Sequence, residues 1–234
     1  MSRHVNPEAA VQVLRGTQLF EGLDDGALSR LVAASRSRVY PRGQYIWYEG
    51  DPGDTLLVVV DGLVKVVIGS EAGEEAVLAT LGRCAVLGEI AVLDGAARSA
   101  SVVTVEPTTA LLLTRATVLD VMARHRVVLD AMLSNLGKLV RRLTEQAGDL
   151  VFLDLGGRLA KLLLRLAEDR ARRTANGVVL DVGLSQSDLA AMVGATRPAV
   201  NRVLHVFAAR GLISVDGQVI VLRDLDGLRR RASP

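Results

Sequence analysis

Glu89 and Arg98 are charged side chains within the largely apolar segment GEIAVLDGAARSAS, residues 88 to 101. Glu89 follows the apolar run CAVLG, and Arg98 lies in the polar end of the same segment. A buried charge needs a partner, because removing an unpaired carboxylate or guanidinium from water is strongly unfavourable. Either Glu89 and Arg98 satisfy each other, or both bind a group that the chain does not contain.

A second set of polar side chains lies in SQSDLAAMVGATRPAVNRVLHVFAARG, near the C-terminus. Ser185 and Asp188 have the spacing of a capping box, which predicts the start of a helix. Gly194 ends this helix and Thr196 caps a second one, where Pro198 is tolerated only in the first turn. Two short helices joined in this way form a helix-turn-helix.

The second of these helices carries the side chains that suit DNA. Arg197, Asn201 and Arg202 lie one turn apart at its start, and no acidic residue occurs between Thr196 and Asp216. Each arginine can donate two hydrogen bonds to guanine, and the asparagine can reach adenine or a phosphate. The candidate DNA-binding residues are Ser185, Gln186, Ser187, Thr196, Arg197, Pro198, Asn201 and Arg202.

The segment LISVDGQVIVL follows the two helices. Asp216-Gly217 between its apolar runs predicts a two-residue hairpin of type I′. A helix-turn-helix with such a hairpin is a winged helix. The alternative is a small α+β module that binds nothing.

Charge and composition limit the other classes. Residues 1–154 carry 15 Lys and Arg against 19 Asp and Glu, whereas residues 155–234 carry 13 against 7. The basic C-terminal third favours a polyanionic partner, although a solvated helix face has the same composition. The single cysteine, Cys84, excludes a four-cysteine metal site within one chain and is expected to be a small core residue. Since no signal segment or membrane span is visible, we expect a cytosolic protein.

The N-terminal two thirds must position Glu89 and Arg98. The helical spacing in VLRGTQLFEGLDDGALSRLVAAS predicts two or three short helices. After Pro41, short β-branched runs separated by glycine, aspartate and proline predict an antiparallel roll or barrel, and two more strands flank Pro107.

From about Thr117 the pattern is helical for more than thirty residues. Apolar residues at intervals of three and four, with one position missing at Arg126, form a heptad seam that predicts a parallel two-helix dimer. The seam residues are Met122, Leu129, Leu133, Leu136, Val140, Leu143, Ala147 and Leu150. Gly156-Gly157 then predicts a break in the helix before a new helical segment begins.

These segments together resemble the cyclic-AMP receptor protein/FNR superfamily of bacterial transcription regulators. The similarity rests on PRGQYIWYEGDPGDTLLVVVDGLVKV, GEIAVLDGAARSA, FLDLGGRLAKLLLRLA and the helix-turn-helix segment, in the order that the superfamily has them. It implies an α+β chain with three parts: an effector-binding β-roll with N-terminal helices (1–116), a dimerisation helix (117–154) and a winged helix-turn-helix domain (155–234).

The resemblance also answers the question about the two charges. In the family's phosphate-binding cassette, the carboxylate after the glycine accepts from the ribose 2′-hydroxyl and the arginine pairs with the cyclic phosphate. Those positions are Glu89 and Arg98 here, and the expected function is regulation of DNA binding by cyclic AMP. The implied ligand-binding residues are Gly88, Glu89, Ile90, Ala91, Arg98, Ser99, Leu143 and Thr144.

Two positions depart from the family pattern. Where cyclic-AMP receptors typically place adjacent Thr and Ser on the long helix, this chain has Leu143 and Thr144, so cyclic GMP remains an alternative effector. Pro198 stands where many relatives carry a glutamate that contacts cytosine, so the DNA half-site should differ there.

Three classes of function follow from these observations. The favoured one is a homodimeric regulator that reads palindromic double-stranded DNA, has no tightly bound cofactor, and has RNA polymerase as a further candidate partner. The second is the same regulator with another effector or none. The third, an enzyme controlled by a cyclic nucleotide, lacks the chain length for a catalytic domain.

Overall fold

The computed structural model describes residues 5–69, 75–170, 172–174, 177–180 and 184–233. The described residues divide into two compact units. The first contains residues up to Gly69 and from Leu78 to Arg141, and the second contains the rest. Among the described residues, no helix is long and apolar enough to cross a membrane.

Two short helices open the first unit, α1 (Pro7–Arg15) and α2 (Asp25–Ala34). Each begins at a side-chain cap, since the Asn6 side chain accepts from the amide of Glu8 and Asp24 Oδ1 accepts from the amide of Ala27 at 2.7 Å. The expectation of two or three helices in this region is confirmed.

Eight strands follow as two antiparallel sheets, in the orders β1-β8-β3-β6 and β2-β7-β4-β5. They are β1 (Arg36–Tyr40), β2 (Tyr45–Trp47), β3 (Thr55–Asp61), β4 (Val64–Gly69), β5 (Glu75–Leu81), β6 (Val86–Leu87), β7 (Ser101–Thr104) and β8 (Thr108–Thr114). Successive residues of β3 face opposite sides, as strand geometry requires. Leu57 and Val59 pack between the sheets, and Leu56 and Val58 pack against the helices. The predicted antiparallel roll is confirmed.

A short helix, α3 (Glu89–Asp94), connects β6 to the loop that precedes β7. Two further helices follow β8, α4 (Arg115–Arg124) and α5 (Arg126–Phe152). The prediction of one unbroken helix from Thr117 was therefore wrong.

The break lies at His125, which has an extended backbone (φ −126°, ψ 96°). Met122 and Val128 both pack in the same core. On one straight helix these residues, six positions apart, would point about 120° away from each other. The break lets α4 and α5 bury both side chains on one core, so Met122 is a core residue of the roll unit and not a member of an exposed seam.

The second unit contains the end of α5 and a winged helix with a sheet of order β11-β12-β10-β9. Its elements are α6 (Leu155–Arg170), β9 (Arg172–Thr174), β10 (Gly177–Leu180), α7 (Gln186–Met192), α8 (Arg197–Ala209), β11 (Ile213–Asp216), β12 (Val219–Leu222) and α9 (Leu225–Arg231). Leu159, Leu204 and Leu222 lie in its buried core. The predicted winged helix is confirmed.

Two local expectations for this unit need correction. Gly156 and Gly157 lie inside the first turn of α6, because Asp154 accepts from the amide of Gly157 at 2.8 Å and so begins the helix before them. Asp216 pairs with Val219, so the hairpin turn is Gly217-Gln218. Of these two turn residues only Gly217 has a positive φ, which excludes type I′.

Candidate effector and DNA-binding sites

Arg98 lies in the loop between α3 and β7 and is held there through its backbone. Its amide donates to the carbonyl of Asp51 and its carbonyl accepts from the amide of Gly50, both at 2.9 Å. These bonds turn the side chain into the roll, where Arg98 is only 4% exposed. The sequence therefore places a guanidinium among apolar strands by means of the glycine-containing loop between β2 and β3.

The guanidinium of Arg98 is only partly satisfied by the protein. Nη2 donates to Thr55 Oγ1 at 2.8 Å, and the ring of Trp47 lies under the group, 4.1 Å from its central carbon. Nε and Nη1 are buried and have no hydrogen-bond partner among the described residues. Burial lowers the pKa of Arg98, and the negative charges of Asp54, Asp51 and Glu89 oppose that shift. Two nitrogen donors of a charged group are thus buried without an acceptor from the described part of the chain.

Glu89 is the first residue of α3, next to this guanidinium. Burial raises the pKa of its carboxyl group, and hydrogen bonds from the amides of Glu89 and Gly88, followed by the charge of Arg98, partly offset the shift. Within the described residues, the structure gives no ion pair between Glu89 and Arg98. The first of the two readings of these charges, in which they satisfy each other, is not what the structure contains.

Gly88 is required by the close packing around Arg98. Its backbone is left-handed (φ 85°), and a Cβ at this position would collide with Nη1 of Arg98. Ile90 is half-buried and Ala91 is buried in the same first turn of α3, while Ser99 is exposed. Gly88 through Ala91 and Arg98 are therefore brought together at one place in the roll unit.

Leu143 and Thr144 lie on α5 in the second unit, and both are exposed. Both residues stay predictions from the sequence. Thr55 and Trp47 were missed by the sequence reasoning. The chain's single tryptophan was the available signal for one of them, but nothing in its local sequence indicated contact with Arg98.

The helix-turn-helix has the capping predicted for its first helix. Ser185 Oγ accepts from the amide of Asp188 at 3.1 Å, and the Asp188 carboxylate accepts from the amide of Ser185 at 2.9 Å. Gln186 is half-buried and Ser187 is exposed in the first turn of α7. Gly194 in the turn is left-handed (φ 64°).

The second helix, α8, is fixed by its buried side and presents its polar residues on the other. Val200, Leu204 and Phe207 pack in the core of the unit. Arg197, Pro198 and Arg202 are exposed, and Asn201 is half-buried. Pro198 lies in the first turn as predicted, and Thr196 occupies the N-cap position, but its side chain makes no capping bond.

Ionic and hydrogen bonds tie the end of α5 to the winged helix. Lys161 donates to Asp149 at 2.7 Å, and Arg158 donates to the carbonyls of Val193 and Leu153, both at 3.0 Å. Arg231 of α9 pairs with Asp154, and this bond lowers the pKa of the Asp154 carboxyl. The last turns of α5 and the winged helix are therefore one packed body.

Within the described ranges, no group of three His, Cys, Asp or Glu side chains is placed to hold a metal ion. Cys84 is half-buried beside the helical core, with an unusual positive φ of 64°.

Comparison with known families assigns both units. The family model of the cyclic nucleotide-binding domain matches residues 37–125, which include Gly88 to Arg98. The model of the Crp-like helix-turn-helix domain matches residues 157–231, which include α7 and α8.

Curated relatives and solved structures agree with the family models. The chain is 30% identical over 221 residues to a CRP-like cAMP-activated global transcriptional regulator of Mycobacterium tuberculosis, covering 94% of this chain and 99% of that protein. It is 31% identical to the cyclic AMP receptor protein of Thermus thermophilus, covering 90% and 94% of the two chains. The structure of the c-di-GMP responsive global regulator CLP of Xanthomonas campestris superposes with a TM-score of 0.74 at 26% identity, covering 85% and 99% of the two chains. The chain therefore belongs to the cyclic AMP receptor protein (CRP) family of transcription regulators, with a cyclic nucleotide-binding domain followed by a Crp-like helix-turn-helix domain.

Proposed function

We propose that this protein is a homodimeric transcription regulator whose affinity for palindromic DNA is controlled by cyclic AMP bound at Arg98. The observation that carries the effector assignment is that Nε and Nη1 of this guanidinium are buried and have no hydrogen-bond partner among the described residues. Each charged donor left without an acceptor destabilises the folded protein by on the order of 1–3 kcal/mol. The exocyclic oxygens of a cyclic phosphate supply both the acceptors and the negative charge.

Glu89 fits the sugar of the same ligand. Its carboxylate holds amide donors but has no ion-pair partner in Arg98, so its remaining lone pairs can accept from the ribose 2′-hydroxyl. Gly88 lets the ligand approach the backbone, and the amides near Ile90 and Ala91 and the exposed hydroxyl of Ser99 are the further donors in this proposal.

The base is the less constrained part of the ligand. Leu143 cannot hydrogen-bond adenine or guanine, so base contact depends on Thr144, supplied in part by the other protomer. Two curated relatives are named for cyclic AMP, which favours that nucleotide. The alternative is a different effector, of which cyclic GMP is the first candidate. The Xanthomonas relative, described as c-di-GMP responsive, shows that a protein with a similar fold can respond to another effector.

The dimer is supported by the apolar surface of α5. Four large apolar members of the predicted heptad seam are exposed in the single chain, which is unfavourable unless a partner covers them. They are Leu133, Val140, Leu143 and Leu150. A second copy of α5 covers this surface in the proposed parallel dimer.

DNA recognition follows from α8. Its exposed Arg197 and Arg202 enter the major groove, and two α8 helices related by a two-fold axis read half-sites roughly 34 Å apart. In the proposed mechanism the ligand binds one of two dimer states more tightly and so changes the spacing of the α8 helices. We further propose the three-part division at residues 116 and 154, and RNA polymerase as a partner of the DNA-bound dimer.

Arg98→Ala is expected to abolish binding of cyclic AMP and cyclic GMP, because it removes the phosphate's cation. Calorimetric titration of the purified dimer with each nucleotide measures this. Arg42→Ala, which removes an exposed arginine of the same unit, should bind like the wild type. If the wild-type protein binds neither nucleotide, the assignment of a cyclic-nucleotide effector is wrong.

Glu89→Gln is expected to stabilise the ligand-free protein at neutral pH while weakening nucleotide binding. Burial raises the pKa of Glu89 in the folded state. Stability linked to this group is therefore fully present below the unfolded pKa of about 4.3 and is lost as the pH rises through the folded pKa. The gain from the substitution should thus disappear as the pH falls toward about 4.

Thermal unfolding from pH 4 to pH 8 checks this, with the exposed Glu106→Gln as the control. If Glu89 and Arg98 were an ion pair in solution, Glu89→Gln would lower the unfolding temperature at neutral pH. That result would contradict the arrangement described above.

Leu143→Ala should weaken the dimer by roughly 2–5 kcal/mol for each buried side chain that is truncated. Leu143 is 46% exposed in the single chain, so the stability of an isolated protomer should change far less than the dimer dissociation constant. Sedimentation equilibrium measures that constant. Glu145→Ala, about half a turn away on α5, is the control. Equal dissociation constants for the two variants would show that the seam is not the dimer interface.

Arg197→Ala and Arg202→Ala should each weaken binding to a selected operator by on the order of 1–3 kcal/mol, with a much smaller loss on random duplex. Base contacts discriminate sequence, whereas phosphate contacts only position the protein. Fluorescence anisotropy, measured with both duplexes at one salt concentration, distinguishes base contacts from phosphate contacts. Arg210→Ala, at the far end of α8, is the control. Equal losses on operator and random DNA would mean that these arginines contact phosphates.

A further inference from the structure

Trp47 covers one face of the Arg98 guanidinium. The centre of its ring lies 4.1 Å from the guanidinium carbon, and Trp47 itself is only 9% exposed. Its Nε1 donates to the carbonyl of Ala100 at 3.0 Å. The indole therefore contacts the guanidinium with its face and, with its edge, the loop that carries Arg98.

We propose that Trp47 is a positioning residue for phosphate recognition, acting through Arg98; this inference rests on the proposed function. An arginine side chain loses much rotational freedom when it is held in one orientation. A cation over an indole face is attracted most strongly when water is excluded, as it is here. Trp47 thus restricts the guanidinium from one face, while Thr55 holds Nη2 from its edge.

The consequence is a guanidinium that is set in place before the ligand binds. Nε and Nη1, which have no partner among the described residues, are thereby held in one orientation before phosphate oxygens bind. Pre-arranged donors bind more tightly because less freedom is lost on association. Removing the ring should therefore weaken nucleotide binding even though the indole makes no bond to the ligand in this proposal.

Trp47 also reports on its own role, because it is the chain's one tryptophan. A phosphate bound to Arg98 neutralises the cation that lies against the indole. The emission of Trp47 should therefore change during titration with cyclic AMP, and should saturate at the same nucleotide concentration as the heat signal.

The variants are Trp47→Leu, which removes the ring, and Trp47→Phe, which keeps an aromatic face but loses the bond to Ala100. Calorimetry with cyclic AMP should show at least a tenfold weaker affinity for Trp47→Leu and a loss of about threefold for Trp47→Phe. The control is Tyr48→Leu, since the exposed Tyr48 stacks on Tyr45 and not on a cation. Its affinity should equal that of the wild type.

Equal weakening in the Phe and Leu variants would assign the effect to packing or to the indole hydrogen bond and would overturn the inference. So would a Trp47→Leu affinity within about twofold of the wild type, a change well below the effect of a cation–π contact at a dry site. If Trp47→Leu does not fold, the fluorescence emission of the wild-type protein tests the proposal instead. If that emission stays unchanged while calorimetry shows that cyclic AMP binds, the proposal is wrong. A wild-type protein that binds neither cyclic AMP nor cyclic GMP would instead overturn the proposed function, and this inference with it.

Discussion

The rest of the effector unit depends on a guanidinium buried in an aliphatic roll, two of whose nitrogen donors have no partner among the residues that the structure describes. The strands and α3 surround Arg98 without satisfying it. The left-handed Gly88 leaves space for its Nη1, and the loop at Gly50 and Asp51 fixes its backbone. Such a site is unfavourable without an anion, so the phosphate in the proposed function would stabilise this unit by binding there.

The DNA-binding unit has the opposite electrostatic character. Asp149 and Asp154 bind Lys161 and Arg231 where α5 meets the winged helix, whereas Arg197 and Arg202 are exposed on α8. Exposed arginines suit a polyanion that binds from outside. In the proposed function, the two units therefore use arginine in two ways: the buried Arg98 binds a small anion, and the exposed arginines of α8 bind DNA.

The sequence predicted the order and type of the main elements, because each has its own periodicity or cap. The β-branched runs, the Ser185–Asp188 capping box and the helical spacing of α5 are local signals, and the structure confirms the elements they predicted. The break at His125 was missed because it results from burying Met122 and Val128 on one core. The contacts of Arg98 with Trp47 and Thr55 were also missed. They join residues about fifty positions apart in the chain, and no local sequence pattern predicts them.

The Nε–H resonance of Arg98 reports directly on whether a cyclic phosphate binds the buried guanidinium. It can be assigned in a ¹⁵N-labelled protein by its loss in Arg98→Lys. On addition of cyclic AMP we expect a downfield shift and slower exchange with water, because the donor acquires a charged acceptor, whereas adenosine, which lacks the phosphate, should leave the resonance unchanged. An unshifted Arg98 resonance in nucleotide-saturated protein would mean that the ligand is bound without the buried guanidinium, and the proposed phosphate site would be wrong.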